Sequence, residues 1–260
     1  MSIFHALILG IVQGLTEVFP ISSSAHLVLV PWIFKWRYQG LSFDVALHVG
    51  TAIGFIVYFF RDWVEMIGSV FAKEKTYKSN IFWFIVFATI PGALAGLILE
   101  KKADTVFRSP LLIIAMLSIF AVILWMADHF GKKQKSMEEM DLKTAVTIGL
   151  AQAIAIIPGV SRSGITMTAG LLKGLSREAA AKFSFLLATP IIIAAGALKL
   201  SKLHAADLNA AFWVGVIASA VSGFIGIKFL LDLVKRSSLN IFVWYRIAVS
   251  AIILITFFAR

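Results

Sequence analysis

Six apolar segments constrain this sequence more than any other feature, because each is close to the ~20 residues with which a helix crosses the ~30 Å hydrocarbon core of a bilayer. Hydrophobic residues make up 60% of the 260 residues and charged residues only 15%, a balance that excludes a soluble globular domain. A backbone in lipid must satisfy its own hydrogen bonds, so the segments predict helices. We therefore expect an all-α polytopic membrane protein whose single domain covers residues 1–260. The six segments are residues 45–60, 81–99, 111–127, 183–198, 210–231 and 241–259.

The net charge of +10 lies mainly in short hydrophilic connectors between these segments. Such charge sets membrane topology far more often than it binds nucleic acid, so we expect the bilayer as a partner and no nucleic acid. Four connectors, residues 61–81, 129–143, 173–182 and 232–240, fall on one side of the predicted topology, and this side has more Lys and Arg than the other. We expect these connectors in the cytoplasm and both termini outside. The sequence has no Cys, which excludes disulfides and thiolate metal sites.

Two polar segments inside the apolar sequence are diverged copies of each other. Residues 13–26 read QGLTEVFPISSSAH and residues 152–164 read QAIAIIPGVSRSG. The similarity continues from residues 82–96 to residues 212–226 at a constant offset of 130. Each half of the chain, about 1–128 and 143–260, thus contains one broken segment followed by three spans. Because three is odd, the second half must be upside down, which predicts an inverted-topology repeat.

The two broken segments predict re-entrant helix-loop-helix elements, in addition to the six transmembrane helices. Irregular backbone at this depth is tolerated only when it is buried in protein or lines a wet cavity. In inverted repeats such segments meet near the membrane midplane and form the functional site. Two alternatives stay open at this point: Pro20 and Pro158 could kink ordinary helices, and each segment could be a pair of full spans.

Hydroxyl groups and one guanidinium are concentrated where each broken segment resumes as a helix. The N-terminus of a helix binds anions, and the fork of an Arg side chain matches phosphate oxygens. We therefore expect an oxyanion receptor in which Arg162 is the main ligand. The accompanying substrate-binding residues are Ser22, Ser23 and Ser24 in the first segment and Ser161, Ser163, Gly164 and Thr166 in the second.

Gln13 and Glu17 are separated by four residues, so both side chains project from one face of a helix. Their oxygen atoms suit a hard divalent cation such as Mg²⁺ or Ca²⁺. Two protein ligands are too few for a permanent metal site, and we expect the cation to arrive with an anionic substrate. An ion pair between Glu17 and Arg162 is the competing interpretation, and both can hold at different stages.

His26 follows Ser23 by three residues, which brings imidazole and hydroxyl into reach on a helix. Imidazole is the usual proton carrier beside a Ser nucleophile or an attacked water molecule. Asp44 and His48 form another pair four residues apart, at the beginning of the first long apolar segment. They either form hydrogen bonds that pack helices together or hold in position the residues that contact the substrate.

These motifs together resemble the two signature regions of bacterial undecaprenyl-diphosphate phosphatases, also called bacitracin-resistance proteins. The resemblance covers Gln13-x-x-x-Glu17 with Pro20-x-Ser22-Ser23-Ser24-x-His26, then Pro158-Gly159-x-Ser161-Arg162-Ser163-Gly164-x-Thr166, and extends over essentially the whole chain. It implies an enzyme of the bacterial cytoplasmic membrane that hydrolyses a C55 polyprenyl diphosphate to the monophosphate carrier of peptidoglycan synthesis. A dependence on divalent cations and a site that faces the outer side are also implied.

The resemblance assigns roles to four residues: Glu17 is the essential acid, Ser23 and His26 are catalytic, and Arg162 binds phosphate. It leaves open whether Ser23 or a water molecule attacks phosphorus, and a homodimer is neither required nor excluded. The rival function is an anion or lipid transporter or flippase, since such proteins are also built from inverted repeats. His26 favours the enzyme, because transport needs binding groups whereas hydrolysis also needs a proton carrier.

Overall fold

The structure, a computed structural model, describes residues 2–74, 76–104, 107, 109–200 and 208–259. These residues form eleven α-helices and no β-strand. The helices are α1 (Ile3–Val18), α2 (Ser23–Ile33), α3 (Leu41–Tyr58), α4 (Phe60–Phe71), α5 (Tyr77–Asp104), α6 (Pro110–Phe130), α7 (Leu142–Ile154), α8 (Arg162–Leu172), α9 (Arg177–Leu200), α10 (Ala210–Arg236) and α11 (Asn240–Phe258).

Six of these helices are long and apolar enough to cross a membrane, and they coincide with the six predicted segments. They are α3, α5, α6, α9, α10 and α11. The predicted all-α class with six candidate transmembrane helices is therefore confirmed. The helices α1, α2, α7 and α8 have 16, 11, 13 and 11 residues, fewer than the ~20 that a full span requires. They flank the two Pro- and Ser-containing loops; the re-entrant path and the inverted orientation of the halves stay predictions.

Small residues bring several helices into close contact, as is common in membrane bundles. Helix α1 packs along α10, which also packs against α3, and α5 packs against α7. At the α5–α7 contact, a Cβ atom added to Gly149 would lie 2.6 Å from Cα and from the carbonyl oxygen of Ala88. The hydrogen atom of Gly149 is therefore what lets the two backbones approach.

Four predicted cytoplasmic connectors meet at one end of the molecule. Lys182 Nζ lies 2.5 Å from Asp62 Oδ1, and Lys235 Nζ lies 3.3 Å from Glu178 Oε1. An isolated bridge pairs Lys135 with Leu175 and links the remaining connector to the same end. The common location agrees with the topology expected from the charges; the side of the membrane on which this end lies stays a prediction.

We expect Gly149→Ala to lower stability by about 1–3 kcal/mol, because its methyl group would force the α5 and α7 backbones apart. Gly96→Ala in α5 is the control, since nothing lies within 4 Å of its added Cβ, and replacing Gly by Ala within a helix stabilises it by about 0.5–1 kcal/mol. Thermal unfolding of both variants in detergent measures the difference. Equal melting temperatures would contradict the close-contact interpretation.

Candidate functional site

Two serines with an unusual backbone conformation start the helices of the site. Ser22 and Ser161 have φ angles of 74° and 72°, in the left-handed region that non-glycine residues seldom adopt. Each is an N-cap residue: Ser22 Oγ accepts a hydrogen bond from the Ala25 amide at 3.4 Å, and Ser161 Oγ accepts one from the Gly164 amide at 3.1 Å. The two loops thus use the same strained conformation to begin α2 and α8.

The two loops touch each other, although they are more than a hundred residues apart in the chain. Ser22 Oγ accepts a second hydrogen bond, from the Gly159 amide at 2.9 Å. In the opposite direction, Ser163 Oγ donates to the carbonyl oxygen of Phe19 at 3.1 Å. These reciprocal bonds hold the beginnings of α2 and α8 side by side.

The buried carboxylate of Glu17 is the centre of the polar contacts. Its Oε1 atom lies 2.6 Å from Arg162 Nη2, so the carboxylate and the guanidinium from the two halves form an ion pair. Its Oε2 atom accepts hydrogen bonds from Gln13 Nε2 at 3.0 Å and from the Ser23 hydroxyl. His48 Nε2 lies 3.3 Å from the same oxygen atom. Five predicted site residues therefore share one contact network.

Arg162 is fixed by a second contact at the far side of its guanidinium. Its Nη1 donates to the Ser184 carbonyl oxygen at 2.9 Å, and the group lies over the Phe55 ring at 5.9 Å from the centroid. Thr166 supports the arrangement from behind, since its hydroxyl lies 2.7 Å from that of Ser184 and donates to the Arg162 carbonyl oxygen. These contacts together define the position of the guanidinium.

A cavity of about 300 Å³ opens on this network. Its polar wall contains Glu17, Ser22, Ser23, Ser24, His48, Gln152, Ser161 and Arg162. The cavity continues into an apolar groove of about 360 Å³ between α3, α5 and α9, lined by residues such as Leu41, Val45, Ile191 and Leu198. The site therefore has one polar end and one apolar end.

Three predicted substrate-binding residues lie behind this wall instead of in it. The Ser163 hydroxyl is directed to Phe19 and the Thr166 hydroxyl to Ser184, whereas Gly164 packs against Ser161. Ser163 joins the two loops, Thr166 anchors α8 to α9, and the Gly164 amide donates to the N-cap Ser161. Arg162, Ser161 and the three serines of the first loop remain at the cavity.

His26 does not contact the Ser23 hydroxyl in the part of the chain that the structure describes. Its Nδ1 lies 2.7 Å from the Ser22 carbonyl oxygen, and its Nε2 lies 2.9 Å from the Tyr245 hydroxyl on α11. Because a carbonyl can only accept, Nδ1 carries the hydrogen, and Nε2 of the neutral ring accepts from Tyr245. The imidazole thus supports the Ser22 loop and is directed toward α11.

His48 is the imidazole that reaches the Glu17 carboxylate. Its Nδ1 donates to the Asp44 carbonyl oxygen at 2.7 Å, one turn earlier in α3, and this bond directs Nε2 toward Glu17. The Asp44 carboxylate accepts a hydrogen bond from Tyr38 at 2.7 Å. Of the two predicted supporting residues, His48 contacts the central carboxylate and Asp44 orients His48 through its backbone.

The donors around Glu17 fit a hard cation only as part of a ligand set. Gln13 Oε1 is buried and has no hydrogen-bond partner, and it lies on the same helix face as the Glu17 carboxylate. Both groups supply the oxygen atoms that Mg²⁺ and Ca²⁺ prefer. Among residues 2–74, 76–104, 107, 109–200 and 208–259, no three or more His, Asp or Glu side chains are grouped so that they could hold a metal ion. Further ligands would have to come from a bound substrate.

The sequence interpretation missed Tyr245 and Arg246, which contact the site from α11. Tyr245 meets His26, and Arg246 donates hydrogen bonds to both loops. A signal for Arg246 was present, because it is the one charged residue within the apolar segment 241–259. An ionisable residue inside such a segment is a functional candidate by default.

Known proteins are similar to this chain over its whole length. A protein of Pelotomaculum thermopropionicum named undecaprenyl-diphosphatase is 52% identical over 260 residues, which cover 100% of this chain and 98% of that protein. Proteins of the same name from Moorella thermoacetica and Caldicellulosiruptor bescii are 49% and 48% identical, again over 100% of this chain and over 100% and 99% of their own lengths. The sequence model of the family described as bacitracin resistance protein BacA matches residues 6–252. This chain therefore belongs to the BacA family of bacitracin resistance proteins.

Proposed function

We propose that this protein is a membrane phosphatase that hydrolyses undecaprenyl diphosphate to undecaprenyl phosphate and so recycles the lipid carrier of peptidoglycan synthesis. The main support is that Ser23 and Arg162 contact the same buried carboxylate at the polar end of a cavity. The names of the related proteins and the family support the substrate. A transporter would need the binding groups but not a hydroxyl held against a carboxylate.

The diphosphate binds at the polar end of the cavity in this proposal. Arg162 supplies a guanidinium, and the beginnings of α2 and α8 supply amides and helix dipoles that favour an anion. The prenyl chain occupies the apolar groove beside Leu41 and Ile191. The two ends of the site thus match the two ends of a lipid diphosphate.

Ser23 is the proposed nucleophile. Its oxygen attacks the terminal phosphorus while its proton passes to Glu17 Oε2, to which the hydroxyl is already hydrogen-bonded. The bond between this phosphorus and the bridging oxygen breaks, and the polyprenyl monophosphate leaves with that oxygen and the bonding electrons. Water then hydrolyses the phosphoserine and releases inorganic phosphate. In the alternative, water attacks the terminal phosphorus directly, and Ser23 only orients it.

Glu17 takes the Ser23 proton in the first step, and His26 remains the proposed proton carrier for the second step, in which water hydrolyses the phosphoserine. His48 has a different proposed task, to hold the Glu17 carboxylate in place through Nε2. Gln13 and Glu17 would hold a divalent cation that shares the diphosphate oxygens. Such a cation neutralises charge that develops in the transition state.

The proposed location is the bacterial cytoplasmic membrane, with the site open to the outer side. The proposed architecture is an inverted repeat in which the segments around Ser22 and Ser161 re-enter the membrane. In support, the connectors richest in Lys and Arg lie together, as they would at a cytoplasmic face.

Phosphate release from a long-chain prenyl diphosphate tests the function with the purified protein and Mg²⁺. We expect Arg162→Ala to lower kcat/KM at least ~100-fold, because one charged donor to a transferring phosphoryl group contributes on the order of 3 kcal/mol. Arg162→Lys keeps the charge and should retain part of the activity. Activity of the alanine variant within threefold of the unaltered protein would refute the assignment, and an inactive unaltered protein would refute the function.

A trapped phosphoenzyme tests the nucleophile. With a substrate labelled in its terminal phosphate, acid quenching during turnover should leave label on Ser23, and Ser23→Ala should lose the label and most of kcat. Ser24→Ala is the control, since the Ser24 hydroxyl lies 3.3 Å from that of Ser22 and does not contact Glu17. It should still trap label. Retained activity in Ser23→Ala would eliminate the covalent route.

Two substitutions at His26 separate proton transfer from support of the loop. Asn can keep a donor near the Ser22 carbonyl oxygen but cannot carry a proton at neutral pH. We therefore expect His26→Asn to lose as much kcat as His26→Ala, about 100-fold or more. A His26→Asn variant with nearly full activity would show that the imidazole only supports the loop.

Single cysteines test the topology without interference, because the sequence has no Cys. Leu208 and Ser237 are exposed and lie just before and just after α10. On intact cells, an impermeant maleimide should label Leu208→Cys, whereas Ser237→Cys should react only after the membrane is permeabilised. The opposite pattern would place the site on the cytoplasmic side.

A further inference from the structure

Arg246 lies in the first half of the apolar helix α11 and is fully buried in the bundle. Its side chain is 0% exposed. No ion pair found within residues 2–74, 76–104, 107, 109–200 and 208–259 includes it. A buried charge without a counter-ion is expensive unless hydrogen bonds compensate it. The hydrogen-bond partners of this guanidinium therefore indicate the role of Arg246.

The Arg246 guanidinium is bonded to backbone carbonyl groups of both loops. Its Nη2 donates to the Gly159 carbonyl oxygen at 2.6 Å and to that of Val160 at 3.1 Å, and Nη1 donates to that of Pro20 at 3.4 Å. The remaining donor, Nε, contacts the Leu117 carbonyl oxygen of α6 at 3.1 Å. One rigid fork thus joins the two loops and ties them to a neighbouring span.

The bonded carbonyl groups precede the strained serines. Val160 comes directly before Ser161, and Pro20 comes two residues before Ser22. Both serines have positive φ angles, which persist only when surrounding contacts enforce them. Because these serines begin the helices that carry Ser23 and Arg162, the same guanidinium fixes the start of both helices.

We propose that Arg246 is a positioning residue of the reaction, whose guanidinium locks the two loops together and so fixes Ser23 relative to Arg162. It does not touch the cavity itself. The planar fork is essential, since the single ammonium group of Lys cannot reach carbonyl groups on both loops in this geometry. The inference rests on the proposed hydrolase function.

The test compares Arg246→Lys and Arg246→Met with the unaltered protein in the phosphate-release assay, with rates expressed per folded molecule. Small errors in the position of reacting groups lower kcat steeply. We expect Arg246→Lys to lower kcat at least ~10-fold and Arg246→Met further, with a smaller change in KM. A folded protein often tolerates an apolar side chain in place of a buried charge. Arg246→Met can therefore be assayed if Arg246→Lys does not fold.

Arg177→Lys is the matched control at the other end of the molecule. Arg177 also uses its fork, with Nε 2.5 Å and Nη2 3.2 Å from the two carboxylate oxygens of buried Asp128. It lies outside the cavity, so this variant should lower the melting temperature and leave kcat and KM unchanged. A similar result for Arg246→Lys, with a lower melting temperature but unchanged kcat, would reduce Arg246 to a structural role and overturn the proposal.

A double-mutant cycle gives an independent readout. The bond from the Gly159 amide to Ser22 Oγ bridges the same two loops. If Arg246 acts by joining them, the effects of Ser22→Ala and Arg246→Met on log kcat should be non-additive. Additive effects would overturn the proposal. If the unaltered protein releases no phosphate, the proposed function is refuted. If the unaltered protein and Arg246→Lys are equally active, the function stands and only the proposed role of Arg246 is refuted.

Discussion

The buried ion pair between Glu17 and Arg162 is the contact on which the arrangement of the site depends. A carboxylate at this depth must be paired and hydrogen-bonded, because an isolated charge in an apolar interior is very unfavourable. The pair joins α1 to α8 across 145 residues of sequence at an oxygen–nitrogen distance of 2.6 Å. Ser23 and Gln13 also donate hydrogen bonds to the carboxylate, and His48 Nε2 lies 3.3 Å from it. Charge pairing in a medium of low polarity therefore brings the catalytic candidates together.

The backbone groups around this ion pair are also buried and also need hydrogen-bond partners. Where a helix is interrupted inside an apolar bundle, its amide and carbonyl groups need partners that are not water. The serines at the N-caps satisfy amides, and the Arg246 guanidinium satisfies carbonyl groups. Each loop thus supplies hydrogen-bond partners to the other, and Arg246 supplies partners to both. This mutual dependence explains why strained residues, Ser22 and Ser161, occur at the same point of both loops.

The polarity of the site changes sharply over a short distance. Near Arg162 the wall includes hydroxyl, amide and charged groups among apolar residues, whereas the groove near Leu198 is lined by apolar residues and glycines. A ligand with a charged head and a long apolar chain can satisfy both ends at once, whereas a small polar solute would leave the groove in unfavourable contact with water. The shape of the cavity thus favours an amphiphilic substrate independently of family membership.

The helical class and the six candidate spans could be predicted from sequence, because length and hydropathy dominate the choice of structure in a bilayer. The two loops could also be located, because their polar residues interrupt apolar sequence. The sequence also identified Glu17 and Arg162 as partners. The partner of each imidazole could not be read from local spacing and is seen only in the folded protein: His26, expected beside Ser23, contacts Tyr245, and His48 contacts Glu17. The direction of a side chain on a helix depends on how neighbouring helices pack, and local spacing does not contain that information. Arg246 could be flagged from sequence as a charge in an apolar span, but its four carbonyl partners come from three separate parts of the chain, which meet only in the folded protein.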